Sequence, residues 1–113
     1  MHEFSMAIEV IHLAQREAGK NNAGSIQEIT IEVGDLSGVD ADAFDSALGL
    51  LVKGSILDQA TVTILRIPGK GRCSGCEIDF EMNHRMAACP QCQCFPSEIR
   101  GGDEFRVMSL VIE

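Results

Sequence analysis

Two Cys-x-x-Cys pairs, Cys73-Ser-Gly-Cys76 and Cys89-Pro-Gln-Cys92, stand twelve residues apart and hold four of the five cysteines. Within each pair a tight turn lets both sulfurs reach one ion. A hairpin-like excursion between the pairs then completes a tetrahedron. Four soft thiolates in that arrangement select zinc or iron. Zinc is the preferred reading, because nothing else in the chain resembles an electron carrier. A closed set of four leaves no open coordination position, so its role is structural or regulatory rather than catalytic. A segment of about thirty residues has almost no core of its own, so the metal would supply its folding energy. An odd number of cysteines packed between positions 73 and 94 does not suit a disulfide framework. Cys94 reads as a free thiol beside the site, or as an alternate or redox-sensitive partner. His84 reads as a solvated loop residue, and His12 as a surface residue of a helix.

A second group of donors stands at the N-terminus, Met1-His2-Glu3. His is too large to favour removal of the initiator Met, so the free amine is expected on Met1. A divalent ion could meet that amine, the deprotonated amide and imidazole of His2, and the amide of Glu3 in one plane. Planar nitrogen sets suit Ni(II) or Cu(II). An α-amine pKa of about 7.7–8.0 makes such binding sensitive to pH near neutrality. The plain alternative is an ordinary exposed terminus.

The elements that position these groups follow from periodicity. From about Ser5 to Lys20, Phe4, Ala7, Ile8, Ile11 and Ala14 recur at helical spacing, widened by Met6, Val10 and Leu13. Lys20-Asn21-Asn22-Ala23-Gly24 is a stop and turn. Residues 26–33 alternate, with Ile29, Ile31 and Val33 on one face and Glu28, Thr30 and Glu32 on the other, as in a half-buried strand. Asp40 can cap a second helix. Its apolar stripe is Phe44, Ala47, Leu48 and Leu51, and its stop is Gly54. Gly49 inside that helix costs about 1 kcal/mol relative to Ala, and close packing is the expected reason. Residues 60–67 and 104–112 read as strands, whereas 70–103 shows little periodicity. A strand–helix–strand unit favours parallel pairing with a right-handed crossover. The fold class is therefore mixed α/β (α+β), a small three-stranded sheet packed with two helices, plus an inserted zinc-ribbon-like module. The expected domains are 1–68 with 104–113, and 69–103.

Composition narrows the function. The chain has 113 residues, 45% of them apolar, with no Trp or Tyr, so aliphatic side chains must fill one core. Nine basic and seventeen acidic residues give a formal charge of −8, which repels phosphate backbones and argues against nucleic-acid or membrane-surface binding. No apolar run approaches the roughly 20 residues of a membrane span. The N-terminus has no secretory pattern, so the expected location is cytoplasmic. A hydrolase or transferase lacks support, with neither a G-x-S-x-G elbow nor a phosphate loop present.

Taken together, Met1-His2-Glu3 opening a helix, Glu32-Val-Gly-Asp-Leu-Ser-Gly-Val39, Lys53-Gly-Ser55, the two cysteine pairs, Gly102-Asp-Glu-Phe-Arg106 and Ser109-Leu110 resemble the HypA/HybF family of hydrogenase maturation nickel metallochaperones. The resemblance covers the whole chain. It implies a nickel-binding α/β domain and a zinc-binding domain inserted before the last strand. It implies zinc on Cys73, Cys76, Cys89 and Cys92, and nickel on Met1, His2 and Glu3, with Glu3 and Asp40 as supporting acidic positions. It also implies Ni(II) delivery to the [NiFe]-hydrogenase large subunit with a nickel-handling GTPase of the HypB family, and urease maturation proteins as a further set of partners. The chain departs from the family in a slightly short spacer and in Cys92-Gln-Cys94-Phe-Pro96, where Cys-Gly-Ser is usual. The competing readings are a zinc-ribbon nucleic-acid or protein-interaction module without nickel binding, and a rubredoxin-type iron–thiolate carrier.

Overall fold

The computed structural model describes residues 2–113. The element order is α1 (His2–Lys20), β1 (Ile26–Gly34), α2 (Ala41–Leu51), β2 (Thr61–Ile67), β3 (Gly69–Cys73), β4 (Ile78–Met82), β5 (Glu98–Gly101) and β6 (Phe105–Ile112). Two three-stranded sheets result, ordered β2-β1-β6 and β4-β3-β5. The chain divides into two compact units. One comprises the chain up to Ile31, Asp40–Leu65 and Arg106–Glu113, and the other Glu32–Val39 and Arg66–Phe105.

In the first unit, α1 buries Ala7, Val10, Ile11, Ala14 and Ala18. Its end is a Schellman closure: Ala23 N donates to Ala18 O at 2.9 Å and Asn22 N to Gly19 O at 3.2 Å. Asn22 supplies the left-handed residue that this closure requires, with φ 54°. Ile8, expected within the buried stripe, is instead 42% exposed. The buried arc is narrower and centred on small residues. Asp40 caps α2, accepting from Ala43 N at 3.0 Å. Phe44, Ala47 and Leu48 are buried as expected, while Leu51 is only half-buried.

Close packing does not explain Gly49. A Cβ there would meet nothing within 4 Å. The turns after α2 contribute Leu57, which is fully buried and had no periodicity to announce it. Ser55 holds that segment, its Oγ donating to Val52 O at 2.6 Å and accepting from Leu57 N at 3.1 Å.

Strand β1 is the centre of its sheet, which changes its expected two-faced character. Ile29, Ile31 and Val33 are buried, but so is Glu32, at 8% exposure. Glu113 N donates to Ser25 O at one end of the β1–β6 pair and Gly34 N to Glu104 O at the other, so those strands run antiparallel. The C-terminal ends of β1 and β2 meet where Asp35 N donates to Ile67 O at 2.9 Å, the arrangement of a parallel pair.

The second unit holds three strands where the sequence suggested little order. Strand β3 pairs antiparallel with β4, Cys73 opposite Ile78 and Gly69 opposite Met82. On its other edge β3 pairs antiparallel with β5, with a bulge between Lys70 and Gly71. Leu36, Cys73, Phe80, Met82 and Cys89 form the core, with Cys76, Ile78, Ala87 and Ile99 packed against it. Backbones cross here without room for side chains. A Cβ at Gly34 would run into the Gly102 carbonyl, and one at Gly69 into the Met82 carbonyl. Gly102 also has φ +91°, a conformation that suits only glycine well.

Candidate metal centres

The first cysteine pair occupies the β3–β4 hairpin turn. Cys73 is the last residue of β3, and β4 starts at Ile78. The second pair lies in a loop closed on itself, with Gln93 N donating to Cys89 O at 2.9 Å and Cys89 N to Cys94 O at 2.8 Å. Both turns end alike. The residue after the second cysteine is left-handed in each, Glu77 at φ 55° and Gln93 at φ 65°. That conformation costs a non-glycine residue roughly 1–2 kcal/mol.

The four sulfurs converge. One sulfur from each of Cys73, Cys76, Cys89 and Cys92 lies within 4.8 Å of the others. Across the pairs, Cys73 Sγ is 3.5 Å from Cys92 Sγ, and Cys89 Sγ is 4.0 Å from Cys76 Sγ. A disulfide would need about 2.05 Å. A tetrahedron with Zn–S of about 2.3 Å has S···S edges of about 3.8 Å. The set therefore fits one tetrahedral thiophilic ion with only small adjustments. Cys73 and Cys89 are buried, Cys76 is half-buried and Cys92 is exposed.

Such proximity leaves the thiols competing for protons. The hydrogen bond with Cys92, followed by desolvation, pushes Cys76 up to about 12. The Cys92 backbone amide brings Cys89 down to about 7. A divalent cation held by Cys73, Cys76, Cys89 and Cys92 would take the place of those protons and stabilise the thiolates together.

Cys94 is exposed and stands outside the converging set, as does His84. The His84 Nδ1 accepts from Met86 N at 3.1 Å within its own loop. Two residues were given no structural role in the sequence reading. Leu36 joins the cysteine core, and Arg85 Nε donates to the Leu36 carbonyl at 2.9 Å. The available signal was an apolar residue standing between Gly34 and Gly38 in an otherwise polar loop.

At the other candidate centre, Met1 lies outside the described residues. His2 is the first residue of α1 and is exposed. The amides of His2 and Glu3 belong to the first turn, where backbone N–H groups have no partner within a helix. The Glu3 carboxylate accepts from Asp40 N at 3.2 Å. The Asp40 carboxylate is turned the other way, onto Ala43 N. A capping box normally takes both acceptors from one helix. Here α1 lends the second one, which ties the start of α1 to the start of α2.

A family model described as hydrogenase/urease nickel incorporation, metallochaperone, hypA matches residues 1–112. The hydrogenase maturation factor HypA of Parabacteroides distasonis is 38% identical over 113 residues, spanning 100% of this chain and 98% of that protein. The same factor from Francisella philomiragia is 34% identical over 111 residues, spanning 98% of each. The solution structure of the Ni metallochaperone HypA from Helicobacter pylori superposes with a TM-score of 0.65 at 27% identity, covering 97% of this chain and 96% of that one. No helix among the described residues is long and apolar enough to cross a membrane. With a match over nearly its whole length, a converging cysteine set and a mixed α/β architecture, the chain belongs to the HypA family, hydrogenase-maturation nickel metallochaperones rather than enzymes.

Proposed function

We propose that the chain binds Ni(II) through the Met1 amine, the amide and imidazole of His2 and the amide of Glu3, and delivers it to the immature [NiFe]-hydrogenase large subunit. A nickel-handling GTPase of the HypB family would be its partner in the cytoplasm, and urease the alternative destination. Zinc on Cys73, Cys76, Cys89 and Cys92 would hold the cysteine domain, 69–103, while 1–68 with 104–113 carries nickel.

The observation that supports the nickel reading is the start of α1 at an exposed His2. Two consecutive amide nitrogens can grip one ion only if the N–Cα–C–N torsion between them approaches zero. A helical ψ of about −42° is much nearer to that than an extended ψ of about +135°. Because these amides lie in the first turn, deprotonating them breaks no helical hydrogen bond. The resulting nitrogen set is exposed, so a thiolate-rich acceptor can reach the ion and replace its ligands one at a time. For zinc, the donor type, the spacing of the sulfurs and the strained turns all favour a closed structural site.

The test uses untagged protein, because an N-terminal extension would remove the free amine. Wild type should bind one Ni(II) as a diamagnetic planar complex, with zinc near one per chain. His2→Ala should lose specific nickel binding and keep its zinc. Nickel titration of His2→Ala with unchanged affinity would overturn the nickel assignment. A wild-type protein free of zinc would overturn the other.

A further inference from the structure

The two ends of the loop that carries the second cysteine pair are held differently. Downstream, Ser97 ties the chain to β3, its amide and its Oγ donating to Arg72 O at 2.8 and 2.9 Å. Upstream, residues 83–88 lead from β4 to Cys89. Two bonds there stay within the turn: Ala87 N donates to His84 O and Met86 N to His84 Nδ1, both at 3.1 Å. The bond that reaches out of the turn runs from Arg85 Nε to Leu36 O at 2.9 Å, across 49 residues of chain. Leu36 is a firm anchor. It is 2% exposed, its amide donates to Gly102 O at 2.6 Å, and Gly69 leaves room for its side chain. The amides before it are engaged as well, Gly34 N with Glu104 O and Asp35 N with Ile67 O. A cleft of about 310 Å3 is lined by Asp35 from one segment and Asn83 from the other, so a polar reach rather than continuous packing joins them there.

We propose that Arg85 is a positioning residue for the second cysteine pair: its bond to the Leu36 carbonyl ties residues 83–88 to residues 34–38, so that the metal set and the 34–38 loop keep or lose their order together. Arg85 shortly precedes Cys89, and Ala87 between them packs against the core that holds Cys73 and Cys89. The approach to Cys89 is therefore fixed at Arg85, at Ala87 and at the buried cysteine itself. When one thiolate lets go of the ion, a fixed arm keeps it close enough to rebind. A loose arm must be ordered again each time, at a cost in conformational entropy. Such a link is reciprocal: metal that stabilises the Arg85 bond is retained longer because of it.

This rests on the zinc reading above, and the experiment separates the two. Zinc-loaded full-length protein is mixed with excess chromogenic chelator, and zinc release is timed. Hydrogen exchange of residues 34–39 is followed by mass spectrometry on the same samples before release. Arg Nε and Gln Nε2 stand equally far along their side chains, and both donate. Arg85→Gln thus keeps the bond without the charge, whereas Arg85→Met keeps the length without the donor. Arg85→Met should release zinc about tenfold faster than wild type, the size of effect expected when a partly shielded hydrogen bond from a charged donor is removed. Residues 34–39 should exchange faster in it while zinc is still bound. Arg85→Gln should bring both readings back towards wild type. Arg100→Met breaks an exposed pair with Glu98 in the same unit and should change neither. If Arg85→Met does not load zinc, Arg85→Lys, whose donor stands one bond further out, should give an intermediate release rate. Release and exchange that stay the same without the donor, or that change equally in Arg85→Gln or Arg100→Met, would overturn the proposal. A wild type without zinc would defeat the zinc reading instead.

Discussion

The two units bury their interiors by different means. In the first, α1, α2 and β1 contribute aliphatic side chains and Phe44, with Leu57 added from the turns between α2 and β2. Burial of that kind is cumulative, since each side chain adds its own share of apolar surface. In the second, the core that includes the cysteines is small: Leu36, Phe80 and Met82 share it with Cys73 and Cys89. Its tight turns also carry two left-handed non-glycine residues. A metal held by the four cysteines would concentrate in one place what the first unit spreads over many contacts. The first unit should therefore fail by degrees, and the second all at once.

The sharpest way to break this contrast is to remove one ligand. Cys89→Ser should abolish zinc binding and unfold the second unit, because structural zinc supplies about 10–16 kcal/mol of apparent binding energy. Far-ultraviolet dichroism should keep the helical signal, since α1 and α2 lie in the first unit. Loss of both signals together would show that the units do not stand separately. The reciprocal change, Phe44→Ala, should cost about 3–5 kcal/mol in chemical denaturation. Zinc should remain at one per chain by elemental analysis.

Acidity should also act on metal binding in the second unit. Cys76 is pushed up to about 12, so at any ordinary pH it surrenders a proton when metal binds. Cys89, brought down to about 7, surrenders one only below that pH. Each proton displaced makes apparent affinity rise about tenfold per pH unit. Zinc affinity should thus increase with pH, and its slope should steepen below about pH 7. Competition with a chelator between pH 6 and 8 checks both features. A flat profile would mean that the thiols are already ionised before metal arrives.

The smallest effects run in opposite directions. Gly49→Ala fills open space on an exposed helix face and should stabilise the first unit by about 1 kcal/mol. Gln93→Gly removes a Cβ from a left-handed residue and should relieve the second unit by about 1 kcal/mol. Thermal melts of the metal-loaded variants would detect each change. If Gly49→Ala is neutral or harmful, the glycine has a role that the isolated chain does not display.

Legibility followed the same division. Where burial recurs at a fixed period, the elements could be read nearly to their ends, as with Ile26–Gly34, Ala41–Leu51 and Phe105–Ile112. The capping role of Asp40 was legible as well, because a cap acts within four residues. Strands β3, β4 and β5 were not. Gly69–Cys73 alternates glycine with charge, and its buried glycines leave room for the Met82 carbonyl at Gly69 and for the Met82 and Phe80 side chains at Gly71. Ile8 and Gly49 were misjudged for a related reason. Helical spacing says which residues share a face, but not how wide an arc its neighbours cover.

The sequence alone determined the donor types and their pairing by turn, because these depend on atoms a few bonds apart. It also determined the Asp40 cap and the presence of a strand at 26–33. Tertiary structure decided that Glu3 would serve the cap of another helix and that Leu36 would join the core that also holds Cys73 and Cys89. It also left Cys92 open while closing off Cys89. Those outcomes depend on which backbones cross at Gly34, Gly69 and Gly102, and contacts between segments far apart in the chain leave no period or spacing in it to read.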